Sequence, residues 1–200
     1  YVPEHFKEEN PQRVSALIRE NAFGMLVTAP HGQPFVSHLP FLFEHAVGMR
    51  GKLRGHMARA NPHWEHLATG AEVLVVFQGP HAYVSPSWYA SPGVPTWNYA
   101  VVHLRGKPRL IETEAELEVL LEKQTHEHEH HRTAPWIPDL VGERRTRLLG
   151  MVVGFEIDIT DIQAKFKLSQ NRPAQDRVRI IAELSNSMNQ AEVSVAKLMS

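Results

Sequence analysis

Cysteine is absent from this 200-residue chain, which excludes disulfides, thiolate metal sites and thiol catalysis and fits a reducing compartment. An excess of one charge is missing too. Lys and Arg number 21 against 22 Asp and Glu, so no global electrostatic pull draws the chain to nucleic acid, an anionic membrane or an acidic partner. Direct DNA binding would need a local patch. The densest basic cluster, Arg144-Arg145-x-Arg147, is a weak footprint for DNA in a neutral chain and reads instead as ion pairs with neighbouring acids such as Glu143. No apolar run reaches membrane-spanning length, and Tyr1-Val2-Pro3-Glu4-His5 lacks the charged-then-apolar pattern of a signal peptide, so a cytoplasmic protein is expected. Gly-x-Gly-x-x-Gly and P-loop patterns are missing, which removes Rossmann and NTPase readings, and without a Gly-x-Ser-x-Gly elbow nucleophilic catalysis has little support.

What is present is 42% hydrophobic content, enough for one substantial core, and the expectation is a single domain over residues 1–200 with residues 174–200 as a helical C-terminal extension. Asn10-Pro11 followed by Val14, Leu17 and Ile18 predicts a capped amphipathic helix. Residues 23–28 and 34–43 predict a hairpin across the His31-Gly32 turn, and residues 52–58 a third strand that leads into a helix start at Asn61-Pro62. The continuous apolar run Val73-Leu74-Val75-Val76-Phe77 suits a central strand buried on both faces. Residues 85–95 read as a loop presenting Trp88 and Tyr89, and strand character resumes over residues 98–111. Thr113-Glu114-Ala115-Glu116 is a capping box that opens a helix to about His130. A short helix ends near Gly150, residues 151–160 form a strand, and polar sequence leads to a helical tail from about Asp176. Hairpin-linked strands with short turns favour an α+β fold built on an antiparallel barrel over a doubly wound sheet.

Several segments carry possible chemistry, and each also has a purely structural reading. In Gly55-His56-Met57-Ala58-Arg59-Ala60-Asn61-Pro62 a strand runs into a helix N-terminus, which suits a phosphate, with Arg59 adding a charged contact and Gly55 and Ala58 admitting a ligand close to the backbone. Equally, Asn61 caps, Arg59 is solvated and His56 is a satisfied core histidine. Pro40, in Ser37-His38-Leu39-Pro40, removes a ladder donor, marking either space left for a planar ring or an edge blunted against aggregation. Pro95-Thr96-Trp97-Asn98-Tyr99 and Lys165-Phe166-Lys167-Leu168-Ser169-Gln170-Asn171-Arg172 set amide and cationic donors beside aromatic surface, as an aromatic cofactor with carbonyls and a phosphate requires; core packing and a solvated face explain them as well. The 13 histidines include His126-Glu127-His128-Glu129-His130-His131, where His126 and His130 share a helix face; this is either a metal pair or a frayed cationic helix end, and it lacks the His-Glu-x-x-His order of a metalloprotease.

Taken in order, these segments resemble the PaiB-like family of FMN-binding negative transcriptional regulators, which adopt the split β-barrel of pyridoxamine-phosphate oxidases. The likeness starts at Tyr1-Val2-Pro3-Glu4-His5-Phe6, similar to the family start once an initiator methionine is removed. It continues through the segments above and through Phe77-Gln78-Gly79-Pro80-His81-Ala82-Tyr83-Val84-Ser85-Pro86-Ser87-Trp88-Tyr89. The resemblance implies an antiparallel split β-barrel with peripheral helices and a homodimer holding flavin mononucleotide (FMN) at the subunit interface. By the same resemblance, Ser37, His38, Leu39 and Pro40 lie along the isoalloxazine, while His56, Met57, Ala58, Arg59 and Asn61 hold the ribityl chain and phosphate. Trp97, Asn98, Gln170, Asn171 and Arg172 complete the site, partly from the second subunit. The implied function is a transcriptional regulator or flavin sensor. A flavin-dependent oxidoreductase acting on a small molecule is the alternative, and a metal enzyme using the His126 to His131 cluster is a second.

Overall fold

The computed structural model describes residues 1–45, 50–138 and 141–200. Helix α1 (Pro11–Glu20) starts as its sequence demands: the Asn10 side chain accepts from the amides of Gln12 and Arg13, and proline fills the first helical position. Strands β1 (Phe23–Thr28) and β2 (Phe35–Glu44) pair antiparallel from Thr28–Phe35 to Phe23–Pro40. The turn between them places His31 at φ 54° and Gly32 at φ 80°, the left-handed region where glycine is at no disadvantage. The chain continues through β3 (Lys52–Ala58), α2 (His63–Ala68), β4 (Val73–Val84), β5 (Thr96–Leu110) and α3 (Glu114–Glu129). It ends with α4 (Gly142–Gly150), β6 (Val152–Lys167), α5 (Ala174–Ser185) and α6 (Gln190–Met199).

Among the described residues the strands hydrogen-bond in the order β1-β2-β3-β6-β5-β4, and β1 pairs again with β4, closing the barrel. The fold is α+β, an antiparallel barrel with peripheral helices and a helical tail, as expected. The chain divides into two compact units. One comprises Tyr1–Asn21, Phe77–His103 and Gln163–Ser200, with a core that includes Leu17, Ile18, Phe77, Phe166, Ile180 and Leu184. The other comprises Ala22–Val76 and Leu104–Ile162, with Leu26, Phe41, Leu53, Leu120, Phe155 and Ile157 in its core. Full burial of side chains of this size contributes about 1.5–3 kcal/mol each.

Three expectations need correction. The apolar run in β4 is not buried on both faces: Val73, Val75 and Phe77 are buried while Leu74 and Val76 are half-buried, because a strand in a closed ring has one inner face and no central place. β6 continues past Thr160 to Lys167, since the polar residues Gln163, Lys165 and Lys167 alternate with buried Ala164, Phe166 and Leu168 and so occupy the outward positions of one strand. Gly55 opens no space for a ligand. A Cβ there would lie 2.8 Å from Cζ of Phe155, its partner in the β3–β6 register, so the ring of a fully buried phenylalanine fills the place. The Thr113 cap forms, its hydroxyl oxygen accepting from the Glu116 amide at 3.2 Å, and the hydroxyl proton goes back to the Glu116 carboxylate at 2.9 Å.

Candidate functional site

In the second unit the pairing of β2 with β3 runs from Glu44–Lys52 to Phe41–Gly55 and stops there. The cause is Pro40. The Phe41 amide donates to the Ala22 carbonyl on the β1 side at 2.9 Å, so Pro40, one residue earlier, turns its carbonyl and its missing N–H to the other side. Pro40 has no N–H with which to extend the pairing. Instead Gln124, a residue of α3 only 5% exposed, donates from Nε2 to the Pro40 carbonyl at 3.2 Å, and its Oε1 lies 2.6 Å from Nδ1 of His56. Two predicted site residues, Pro40 and His56, are thus brought together by one that the sequence reading missed. Beside them on the outer face, His38 stacks 6.1 Å from the ring of Phe23, which is 68% exposed.

Ser37, Leu39 and Met57 point the other way and are buried. The Ser37 hydroxyl oxygen accepts from Asn61 Nδ2 at 3.0 Å and lies 2.8 Å from His63 Nδ1. On the far side of that ring, His63 Nε2 is 2.9 Å from the Thr28 hydroxyl, which is also 2.9 Å from Nδ1 of His66. Burial, then the neighbouring His66, lowers the His63 pKa to about 4, so its imidazole is neutral at physiological pH. Asn61 also accepts from the His63 amide at 3.1 Å, the helix start predicted at Asn61-Pro62. Ala58 is exposed.

Arg59 is exposed, but its guanidinium is engaged: Nε donates to the Gly150 carbonyl at 2.9 Å and Nη2 to that of Val152 at 3.2 Å, at the C-terminal end of α4 where a cation complements the helix dipole. Among the described residues nothing takes the Nη1 donors, which with the charge are left for an anion. Glu156 on β6 is a further buried group absent from the sequence reading. Its carboxylate meets Lys52 at 2.5 Å, Arg109 at 2.7 Å and Arg54 at 3.4 Å. Burial pushes its pKa up, but hydrogen bonds from Lys52 and Arg109 outweigh that and hold it below the usual carboxylate range. Arg145 pairs with Glu118 at 2.6 Å and so belongs to an α3–α4 ion pair.

In the first unit the two remaining motifs lock together. Lys167 donates to the Thr96 hydroxyl and to the Trp97 carbonyl at 2.8 Å, and desolvation followed by the nearby Lys165 lowers its pKa. Asn98 is fully buried, accepting from the Ser169 hydroxyl at 3.0 Å and donating to Met199 Sδ at 3.4 Å. Gln170 folds back on its own strand end, accepting from the Leu168 amide, while Asn171 is exposed. The Arg172 guanidinium lies 4.1 Å from the Tyr89 ring, and Asp176 accepts from the Ala90 amide at 2.7 Å, so α5 and the turn before it hold the loop that presents Tyr89. Trp97 is 52% exposed. A cleft of about 700 Å³ between α1 and α6 is lined by none of the predicted residues, and its Arg13 is spent on Glu8 and the Leu198 carbonyl.

His126 and His130 share a helix face as read, ring centroids 5.6 Å apart, but His130 Nδ1 bonds to carbonyls of its own helix. Among the described residues no three His, Asp or Glu side chains gather to hold a metal ion, and no helix is long and apolar enough to cross a membrane.

The exposed Phe23–His38 pair, half-buried His56 beside the end of β2–β3 pairing, and the exposed Arg59 all belong to the second unit. Residues 1–161 match the family model described as "Putative FMN-binding domain". The chain is 40% identical over 204 residues, covering 100% of itself and 96% of the relative, to the Bacillus subtilis protein named "Protease synthase and sporulation protein PAI 2". Two solved structures share the fold. The FAD and heme binding protein from Mycobacterium smegmatis has a TM-score of 0.63 at 17% identity, over 86% of this chain and 78% of that one. The flavocytochrome Anf3 from Azotobacter vinelandii has a TM-score of 0.63 at 16% identity, over 83% and 72%. The chain therefore belongs to the PaiB-like family of FMN-binding proteins, and its cofactor is FMN.

Proposed function

We propose that the chain is a homodimeric flavin sensor in transcriptional regulation, with the FMN ring seated against the opening between β2 and β3. The observation that carries this reading is the break in strand pairing at Pro40, where half-buried His56 and the exposed Phe23–His38 pair leave polar and flat apolar surface side by side. When bound, FMN supplies reversible redox chemistry, and the protein tunes and reports it. His56 and His38 meet the ring, and Arg59 with the turn to Asn61 attracts the phosphate. A second subunit covers the exposed Tyr83 and Trp97, the latter lining a groove with Gln78, His81, Tyr99 and Val101, and brings Trp97, Gln170, Asn171 and Arg172 toward the flavin, with the fully buried Asn98 holding that segment from within its own subunit.

A regulatory role draws support from the Bacillus subtilis relative, which is named for protease synthase and sporulation. Regulation by direct DNA contact has little electrostatic help: net charge is −1, and Arg145 is consumed by Glu118. The alternative, an oxidoreductase acting on a small molecule, is favoured by one feature, an imidazole beside Pro40, a side-chain type that serves as a general acid or base. The two separate in a mobility-shift assay at several salt concentrations, with oxidised and reduced protein. The regulatory reading predicts a shift, direct or through an added partner, that depends on flavin redox state. Redox-independent results together with rapid flavin turnover by a small-molecule acceptor would favour the enzyme.

A further inference from the structure

For a neutral His56, the polar groups where the β2–β3 pairing ends leave only one consistent arrangement of protons. The Pro40 carbonyl can only accept, so the Gln124 amide must turn its nitrogen to it at 3.2 Å. That places the amide oxygen 2.6 Å from His56 Nδ1, which must then carry the proton. At neutral imidazole the other ring nitrogen, Nε2, is therefore a bare lone pair. Gln124 is 5% exposed and has both ends satisfied, so little can turn it over.

We propose that Gln124 is a positioning residue of the flavin site: it bridges Pro40 and His56 where the β2–β3 pairing ends and holds His56 as the Nδ1–H tautomer, so that Nε2 accepts a hydrogen bond from an N–H at the edge of the bound ring. The proposal rests on the flavin reading above and adds a specific requirement to it. The ligand ring must bring a donor to His56, as the imide of a flavin does, and a ring with only acceptors on that edge is disfavoured. It also gives Pro40 a role. Any other residue there would add an N–H facing β3, and pairing could continue across the place the Gln124 amide now occupies.

The test uses the full chain labelled with ¹⁵N at histidine, with and without FMN. In the wild type, long-range ¹H–¹⁵N spectra should show His56 protonated at Nδ1 and bare at Nε2. Gln124→Leu should shift His56 toward the Nε2–H form and weaken FMN binding by about tenfold, the scale of one net hydrogen bond. Gln124→Glu keeps the acceptor and the side-chain length but loses the donor to Pro40, so it should keep a proton on His56 Nδ1 where Gln124→Leu does not, which separates loss of the acceptor from misfolding of the Leu variant. His56→Leu combined with Gln124→Leu should bind FMN no worse than His56→Leu alone. A His56 that is Nε2–H in the wild type, or a tautomer unmoved by Gln124→Leu, overturns the proposal. A wild type that binds no FMN overturns the flavin reading instead, and the tautomer spectra judge the Gln124 clamp independently.

Discussion

His63 illustrates what burial does to one side chain. It is fully buried, its two ring nitrogens are held by Ser37 and Thr28, and it gives up its proton at about pH 4 against 6.5 for a free imidazole. Because the folded pKa is depressed, the unfolded chain binds a proton between those values that the folded chain refuses. Stability at this position is complete above about pH 6.5 and is lost as pH falls toward about 4, by up to about 3 kcal/mol. Denaturant unfolding of His63→Gln should show lower stability at pH 7 and a shallower decline across that window, and parallel curves for the two proteins would contradict the assignment. Gly55 makes a second case. The place its Cβ would take is filled by the Phe155 ring, so Gly55→Ala should cost about 1–3 kcal/mol in unfolding free energy, the usual range for overpacking. A neutral substitution would mean the ring moves aside freely.

At the scale of elements, the features legible in the sequence are those whose causes lie close along the chain. Asn10 and Thr113 announce their helices because a cap acts on amides within three residues, and the β1–β2 hairpin follows from a turn and two alternating runs. Of the candidate site, Pro40 and His56 stood out, yet the residue joining them did not. Gln124 lies 84 positions from Pro40 in a helix whose pattern shows only an ordinary polar residue, and nothing local distinguishes it. The same holds for Glu156 and its cations, and for the true length of β6, where outward lysines resemble a polar linker. Arg59 was legible as a cation at a strand end but not as a tie to α4, since Gly150 is 91 residues away. Arg59→Ala should therefore have two separable effects. Loss of its contacts with the α4 end should lower stability by about 1–2 kcal/mol, and loss of the phosphate contact should weaken FMN by about 1.5–3 kcal/mol. A stability loss with unchanged affinity would leave Arg59 a purely structural tie and move the phosphate elsewhere.

At the scale of the whole molecule, an antiparallel barrel carries an interruption of strand pairing beside which we seat the flavin. The exposed Trp97 and Tyr83 should become protected as the dimer forms, so sedimentation should give twice the 22.7 kDa chain mass, and Trp97→Asp should shift it toward the monomer. FMN seated where the β2–β3 pairing ends should be visible in an FMN titration of the purified chain followed by visible absorbance and by the ¹⁵N signals of His38 and His56. The expected result is saturable yellow binding at one FMN per chain, with both histidine signals shifting in step with occupancy. Saturable binding that leaves both histidines unmoved, or no binding at all, would contradict it.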